Sequence, residues 1–314
     1  MRTLKIASRA SKLALAQSNA VAHMLTRADH RLKISIVEVS TTGDRDTSDF
    51  LYKSQSVGFF TSEVENAVLD GTADLAVHSF KDLPTALTPG LVVAAVPPRE
   101  SPADALVASH SANSIAALPA RATVGTSSLR RIAQMRQIRP DLNCVAMRGN
   151  IETRLAKVSR GEVDAIIVAV AGLKRLAMTQ KISAFLPPDE FLPAPAQGAL
   201  AVQIRDGDAE LAELVARIDD DQSRVTAETE RHIMAEMHGG CSIPLGAYSR
   251  IEGEKISVEA MISGVEGRKY VRLSRTGPVL QAKTIADELA AELMAQGGRD
   301  ILDEIRRSRA DQSQ

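Results

Sequence analysis

The sequence lacks the features of membrane and secreted proteins. No stretch of its 314 residues approaches the roughly 18 apolar residues that a membrane-spanning helix needs. The N-terminus has no apolar run of the kind found in signal peptides. The 38 basic and 39 acidic residues leave a net charge of −1, which argues against a dedicated nucleic-acid or membrane-surface protein. We therefore expect a cytoplasmic protein in which only local clusters of charge recognise anions.

Cysteine and the common nucleotide motifs are also scarce. The two cysteines, Cys144 and Cys241, are far apart in the sequence, so we expect two free thiols. No Cys/His cluster has metal-ligand spacing, and we expect no metal. Neither the G-x-x-x-x-G-K-[ST] nor the G-x-G-x-x-G pattern occurs, which disfavours a nucleotide enzyme.

The apolar pattern predicts layered α/β structure. Short runs rich in valine and isoleucine alternate with segments of helical spacing, which predicts mostly parallel strands covered by helices. The runs occupy residues 4–7, 34–39, 75–77, 91–96, 122–124, 144–147, 165–170 and 199–204. After residue 219 the pattern changes to a helix, two alternating runs and a closing amphipathic helix, which predicts a small α+β domain.

Two proline-rich breaks suggest how the chain divides. They lie near residues 97–102 and 187–195 and bracket a segment of domain size. We expect a discontinuous first domain and an inserted second one, both doubly wound and periplasmic-binding-protein-like, with a cleft between them as the ligand site. The expected bounds are 1–98 with 198–217 for domain 1, 99–197 for domain 2 and 218–314 for domain 3.

Arginines cluster where predicted strands turn into helices. These junctions hold Arg9, Arg130, Arg131 and Arg148, and one turn into the next helices lie Arg154 and Arg175. Helix N-termini favour anions, and guanidinium groups bind carboxylates through two hydrogen bonds. A convergent set of arginines would therefore suit a ligand with many carboxylates. For each arginine taken alone, a solvated helix residue is the alternative.

Two other positions could carry chemistry. The segment from His78 to Pro84 ends a predicted strand in the pair Lys81-Asp82. A carboxylate kept ionised by its cationic neighbour can stabilise positive charge on a substrate, although a simple surface turn would look the same. Gly239-Gly240-Cys241 places a thiol on a flexible turn, where it could act as a covalent nucleophile or simply pack.

Six motifs, in order along almost the whole chain, resemble the porphobilinogen deaminase family. They are Ile6-Ala7-Ser8-Arg9, Ala76-Val77-His78-Ser79-Phe80-Lys81-Asp82-Leu83-Pro84, Gly125-Thr126-Ser127-Ser128-Leu129-Arg130-Arg131, Arg148-Gly149-Asn150, Val170-Ala171-Gly172-Leu173-Lys174-Arg175-Leu176 and Gly239-Gly240-Cys241. The resemblance implies a transferase that joins four porphobilinogen molecules head to tail, with loss of ammonia, on a dipyrromethane cofactor. Hydrolysis then releases the linear tetrapyrrole hydroxymethylbilane.

The resemblance also implies roles for individual residues. Cys241 would hold the cofactor by a thioether bond, and Asp82 would assist deamination. The cofactor-binding residues would be Lys81, Asp44, Ser127, Arg130 and Arg131. The substrate-binding residues would be Arg9, Ser11, Arg148, Arg154, Arg175 and Gln197. One segment departs from the family: Gln55-Ser56-Val57-Gly58-Phe59-Phe60 lacks the lysine of its glycine-rich loop, so Val57 cannot make that contact, and Lys53 is a hypothetical substitute.

Two other functions are compatible with parts of the sequence. A two-lobed binding protein for a small anion would share the architecture but leave Cys241 without a role. A thiol hydrolase could use Cys241 with His78 or His238, although no oriented base or oxyanion arrangement is evident. We expect porphobilinogen as the small-molecule partner, with no nucleic acid or membrane, and a monomeric chain.

Overall fold

The computed structural model describes residues 2–41, 61–109, 111–237 and 243–312. Strands β1 to β13 are Arg2–Arg9, Leu32–Val39, Leu75–Ser79, Leu91–Ala95, Asp104–Ala108, Thr123–Gly125, Asn143–Val145, Ala165–Ala169, Ala184–Leu186, Leu200–Arg205, Leu245–Glu252, Lys255–Ser263 and Tyr270–Pro278. Helices α1 to α9 are Lys12–Ala28, Ser62–Leu69, Leu129–Ile138, Ile151–Ser159, Val170–Arg175, Ala209–Ala216, Asp221–Glu236, Ala282–Leu293 and Arg299–Gln312. Within these ranges no helix combines the length and the apolar character needed to cross a bilayer.

The first sheet has the strand order β2-β1-β3-β10-β4. Strand β1 pairs in parallel with β2 and β3, whereas β10 runs antiparallel to β3 and β4. Successive residues of β1 point to opposite faces, so Leu4 and Ile6 pack in the core with α1 while Ala7 packs with α2. Both faces of the sheet are therefore covered by helices.

The second sheet repeats this arrangement with the order β7-β6-β8-β5-β9. Here β6 pairs in parallel with β7 and β8, and β5 runs antiparallel to β8 and β9. The residues of β5 alternate between two cores, with Leu106 on the side of α3 and Val107 on the side of α4. The predicted class of two doubly wound α/β layers is confirmed.

The expectation of mostly parallel strands is wrong, because half of the pairings in each of these sheets are antiparallel. The reason lies in how the chain enters each sheet. Asp104 at the start of β5 lies opposite Ala169 at the end of β8, and Leu200 at the start of β10 lies opposite Ser79 at the end of β3. Each incoming strand thus begins at the edge where the parallel strands end, and must run back against them.

The C-terminal part forms a third, antiparallel sheet in the order β11-β12-β13. Helices α7 and α8 pack on it, and its core includes Ile233, Leu289 and Leu293. The predicted small α+β unit is confirmed. Strand β11 and helix α9 were not predicted from the sequence.

The connections between the first two sheets touch each other closely. At Gly198, which has φ +91°, an added Cβ would lie 2.2 Å from the carbonyl oxygen of Glu100 in the other connection. Helix α7 fixes this region, since buried Glu230 accepts two hydrogen bonds from Arg99, at 2.8 and 2.9 Å, and one from the backbone N–H of Ala196 at 2.7 Å. The connections and α7 thus form one hydrogen-bonded block.

Candidate active site

The predicted site residues gather at the edges where the parallel strands of both sheets end. In the first sheet Arg9 ends β1, and a 3₁₀ turn, Phe80–Asp82, follows β3. In the second sheet Ser127 and Arg148 follow β6 and β7. Ligands of doubly wound folds bind outside the carboxyl ends of the strands, so these two edges are the candidate site.

Contacts between the lobes bring the two edges together. The ammonium of Lys12 at the start of α1 lies 3.4 Å from the carboxylate of Glu152 in α4. Beside this pair, an added Cβ at Gly172 would lie 2.6 Å from Ile151 and 3.8 Å from Leu13. Helices from both lobes therefore meet beside these two edges.

A buried carboxylate, Asp104, holds the two adjacent arginines of α3. Its oxygens accept hydrogen bonds from Nη2 of Arg130 at 2.9 Å and from Nη2 of Arg131 at 2.6 Å. Asp104 is 0% exposed, and the two arginines are 3% and 7% exposed. Burial alone would raise the pKa of Asp104, but the charges of Arg130 and Arg131 outweigh it and hold that pKa well below its usual range. Asp104 is therefore an anion that compensates two buried cations.

Gln197 connects this cluster to the first lobe. Its amide Nε2 donates to Asp104 at 2.9 Å, and its Oε1 accepts a hydrogen bond from Nζ of Lys81 at 3.1 Å. Its Nε2 also lies 2.7 Å from the carbonyl oxygen of Pro102, and the residue is 0% exposed. Gln197 thus bridges Lys81 and Asp104, while its direct contact with substrate stays a prediction.

Lys81 and Asp82 are adjacent on the 3₁₀ turn but differ in exposure. Lys81 is half-buried, and burial lowers its pKa to about 8 although the charge of Asp82 acts in the opposite direction. The charges of Arg131 and Arg130 lower this pKa as well. Asp82 is exposed at the end of the turn. A cation that can lose its proton near neutral pH therefore sits beside an accessible carboxylate.

Ser127 and Ser128 shape the turn before α3. The Ser127 hydroxyl donates to the carbonyl oxygen of Met147 and accepts from its backbone N–H, both at 2.9 Å. Ser128 caps α3 by accepting a hydrogen bond from the backbone N–H of Arg131 at 3.5 Å. These bonds tie the segment that precedes Arg148 to the start of α3.

The second lobe also holds three half-buried arginines, Arg148, Arg154 and Arg175. Arg154 donates through Nε to the carbonyl oxygen of Gly149 at 2.8 Å, and burial, with the charges of Arg131 and Arg148, lowers its pKa to about 10. Arg175 donates through Nη2 to the carbonyl oxygen of Gly198 at 2.7 Å, and burial lowers its pKa too. Mutual repulsion and poor solvation make this group of cations costly without an anion.

Unsatisfied donors provide a test of whether the site fits an anionic group. The buried Nε atoms of Arg130, Arg131 and Arg148 find no hydrogen-bond partner within the described part of the chain. Buried donors are nearly always paired in native proteins, so three orphans in one cluster indicate a ligand with several acceptors. A cofactor that carries carboxylates fits these residues.

Two predicted substrate residues lie at the edge of the first lobe. Arg9 is half-buried at the end of β1, and Ser11 caps α1 by accepting a hydrogen bond from the backbone N–H of Ala14 at 3.3 Å. Their contact with substrate stays a prediction. Asp44, Lys53, Val57, His238 and Cys241 lie outside the described residues.

His78, one histidine of the thiol-hydrolase alternative, and Cys144, the free thiol among the described residues, are both poorly placed for chemistry. His78 is buried in β3, and burial lowers its pKa to about 4, which leaves the ring neutral. Cys144 is half-buried beside the core of the second lobe, and burial raises the pKa of its thiol. Neither residue is set up as a general base or a nucleophile near neutral pH.

A group of potential metal ligands lies between α7 and α8. Ligand atoms of His232, Glu236 and Asp287 lie within 4.8 Å of one another. Asp287 already makes hydrogen bonds with His232 and, at 3.0 Å, with Lys283. Because Lys283 and His232 already contact this carboxylate, we interpret the group as structural polar contacts, of which the one between His232 and Asp287 joins the two helices.

The fold and the clustered cations define a two-lobed α/β protein with a positively charged candidate site, and comparisons with known proteins specify it further. Residues 4–213 match the model of the porphobilinogen deaminase, dipyromethane cofactor binding domain, and residues 224–295 match the model of the porphobilinogen deaminase C-terminal domain.

Curated relatives agree along nearly the full chain. The chain is 41% identical over 305 residues to a porphobilinogen deaminase of Maridesulfovibrio salexigens, which covers 97% of this chain and 99% of that one. It is 42% identical over 308 residues to one of Syntrophomonas wolfei, with coverage of 98% and 100%. A third, of Roseiflexus sp., is 43% identical over 301 residues and covers 96% of this chain and 99% of its own.

The chain belongs to the porphobilinogen deaminase family, as its six motifs predicted. It is a transferase of porphyrin and heme biosynthesis, which polymerises porphobilinogen head to tail with release of ammonia to form hydroxymethylbilane. Its N-terminal part is a domain for binding a dipyromethane cofactor. The family membership confirms the predicted enzyme class.

Three residues of the site were not predicted. Asp104, Arg231 and Glu230 are buried residues with ionisable side chains, yet none belongs to one of the six motifs of the sequence analysis. The available signal was local: Asp104 stands at the head of the apolar run 105–108, and Glu230-Arg231 interrupts the buried face of α7. A charged residue at a buried position usually has a specific partner.

Proposed function

We propose that Cys241 holds the dipyrromethane cofactor through a thioether bond, and that Asp82 promotes the loss of ammonia from each porphobilinogen. The observation that carries the proposal is a hydrogen-bonded cluster beside exposed Asp82, in which half-buried Lys81 joins buried Gln197, Asp104 and the paired arginines. It combines concentrated positive charge with one accessible carboxylate.

Five residues would hold the cofactor in addition to the cysteine. They are Lys81, Asp44, Ser127, Arg130 and Arg131. When bound, the dipyrromethane supplies the pyrrole terminus to which porphobilinogen units are joined. Its carboxylates would meet the unpaired Nε donors of Arg130 and Arg131 and the ammonium of Lys81. Asp104 keeps the two arginines side by side while their remaining donors bind.

Asp82 would act on the substrate electrostatically. When the protonated aminomethyl group of porphobilinogen leaves as ammonia, its nitrogen takes the electrons of the carbon–nitrogen bond, and the positive charge remains on the pyrrole. A carboxylate that is fixed beside the reacting group stabilises this charge. The accessible position of Asp82 after β3 allows such contact.

Substrate carboxylates would be bound by a second set of cations. Each porphobilinogen brings an acetate and a propionate, so the bound chain becomes more anionic with every addition. Arg9, Ser11, Arg148, Arg154 and Arg175 are the proposed contacts. Gln197, whose amide is used within the protein, would serve the substrate by holding Lys81 in place.

We also propose the domain division 1–98 with 198–217, 99–197, and 218–314. It is supported by the sheets, since β5 to β9 form the second sheet and β10 returns to the first. The chain would work as a cytoplasmic monomer without metal, nucleic acid or membrane; its net charge of −1 agrees with the last two of these. Light scattering during gel filtration and elemental analysis of the purified enzyme test the monomer and the metal-free state.

Intact mass under denaturing conditions tests the covalent anchor. We expect wild type to carry the added mass of a two-pyrrole unit, and Cys241→Ser to have the bare polypeptide mass. Cys144→Ser is the matched control, since its thiol packs in the second lobe, and it should keep the adduct. A bare wild-type mass after incubation with porphobilinogen would contradict the proposal.

A further inference from the structure

Arg231 of α7 makes several hydrogen bonds to the turn that carries Lys81 and Asp82. Its Nη1 donates to the carbonyl oxygens of Phe80 and Leu83, both at 2.8 Å, and its Nη2 donates to that of Pro84 at 2.6 Å. The guanidinium carbon also lies 4.5 Å from the centre of the Phe80 ring. Three backbone carbonyls on both sides of Asp82 are thus held by one buried side chain.

We propose that Arg231 is a positioning residue, which sets the place of the Asp82 carboxylate relative to helix α7. The inference rests on the proposed function, in which Asp82 acts on the substrate.

The geometry of the contact explains why arginine is needed. The planar guanidinium presents several N–H groups in fixed directions, whereas a lysine ammonium is a single point on a flexible chain. Bonds to backbone carbonyls fix the path of the turn itself, and with it the origin of the Asp82 side chain. A misplacement of about 1 Å at a reacting group can cost about 100-fold in rate.

The helix that carries Arg231 is itself fixed. The neighbouring residue, Glu230, accepts hydrogen bonds from Arg99, Ala196 and the backbone N–H of Ser249, all between 2.7 and 2.9 Å. Side chains of adjacent residues therefore attach α7 to the connections between the lobes and to the catalytic turn. If α7 were not fixed in this way, Arg231 could move together with the turn and would not hold it in place.

The test is a double-mutant cycle on the holoenzyme. Arg231→Lys, Asp82→Glu and the double variant are assayed with porphobilinogen after cofactor content has been measured by intact mass. We expect Arg231→Lys to lower kcat by about tenfold or more with little change in KM. Because Asp82→Glu already displaces the carboxylate, Arg231→Lys should have almost no further effect on kcat in that background.

Arg224→Lys is the matched control on the same helix. Arg224 donates to the carbonyl oxygens of Ala94, at 2.9 Å, and Val93, at 3.5 Å, and within the described residues it makes no hydrogen bond to the catalytic turn. This variant should lose comparable helix attachment, seen as a lowered melting temperature, but keep the wild-type kcat. An equal fall in kcat for both variants would mean that general loosening is responsible, and would overturn the inference.

Other outcomes separate the two proposals. An unchanged kcat in Arg231→Lys, or a fall that multiplies with that of Asp82→Glu, would overturn the positioning role and leave Asp82 in place. An unchanged kcat in Asp82→Glu would instead contradict the proposed function. Should Arg231→Lys not fold, Phe80→Leu removes only the ring beside the guanidinium; kcat should then fall about threefold, and an unchanged kcat would overturn the inference.

Discussion

The edges of the first two sheets hold their charged groups in opposite ways. At the first edge, Asp82 is exposed on a turn whose backbone is fixed by Arg231. At the second edge, Arg130 and Arg131 are buried and fixed by the carboxylate of Asp104. A group that acts on successive substrates must remain accessible, whereas groups that bind anions gain strength from a low dielectric. Buried cations then require a buried anion as a partner, whereas an exposed carboxylate is solvated by water and requires no buried partner.

Removal of Asp104 should have the largest effect. Asp104→Ala would leave two buried arginines without their anion, so we expect the free energy of unfolding to fall by about 3–5 kcal/mol in urea titrations. The matched control is Asp141→Ala, since Asp141 pairs with Arg139 at 2.7 Å near the surface. That change should cost far less, because the pair is open to solvent. Equal losses in the two variants would remove the distinction between buried and exposed pairs.

Gly198→Ala tests the close contact of the connections between the two edges. The new Cβ would meet the Glu100 carbonyl at 2.2 Å, and the residue would keep a positive φ, so we expect a loss of about 3 kcal/mol. Gly207 has a similar φ of +82° but no atom within 4 Å of the added Cβ. Gly207→Ala should therefore cost only about 1 kcal/mol by chemical denaturation. If Gly198→Ala lowered the free energy of unfolding no more than Gly207→Ala does, the two connections would have to separate easily.

The pH dependence of Lys81 sharpens the comparison at the point where the two edges meet. Its pKa of about 8 means that the ammonium is lost as the pH rises above that value. We expect kcat/KM to fall above pH about 8, by up to about tenfold per pH unit, because the neutral amine no longer holds the carboxylates of the cofactor in place.

Lys81→Arg is the control, since a guanidinium stays charged and should move this limb to higher pH. The effect of pH on folding stability through Lys81 has the opposite sign to its effect on kcat/KM. The folded-state pKa of Lys81 lies below its ordinary value of 10.5, so the unfolded chain binds more protons between the two values and stability rises with pH across this window. If the high-pH limb of Lys81→Arg coincided with that of wild type, another group would be titrating.

The smallest effect is expected at the rim. The side chain of Lys12 is 77% exposed, and its contact with Glu152 at 3.4 Å is open to solvent. Lys12→Ala should change the free energy of unfolding by less than about 1 kcal/mol, with even less effect at high salt. Thermal melts at two ionic strengths check this. A loss as large as that of Asp104→Ala would mean that rim contacts hold the lobes together.

Much of the fold and part of the site followed from local patterns. The apolar runs located most of the strands, and the strand-to-helix junctions located the arginines. Asp104 was missed because its partners Arg130, Arg131 and Gln197 lie 26, 27 and 93 residues away in the sequence. Arg231 was missed for the same reason, since its carbonyl acceptors lie 147 to 151 residues away.

The sequence by itself determined the family, the α/β layers and the cationic character of the cleft, because motifs, periodicity and residue type are properties of short segments. Only the tertiary structure decided which charges are buried and what compensates them: Asp104 between two arginines, Gln197 between two lobes and Arg231 beneath the catalytic turn. The physical reason is that burial and hydrogen-bond partners depend on segments distant in the chain, so that no local pattern records them.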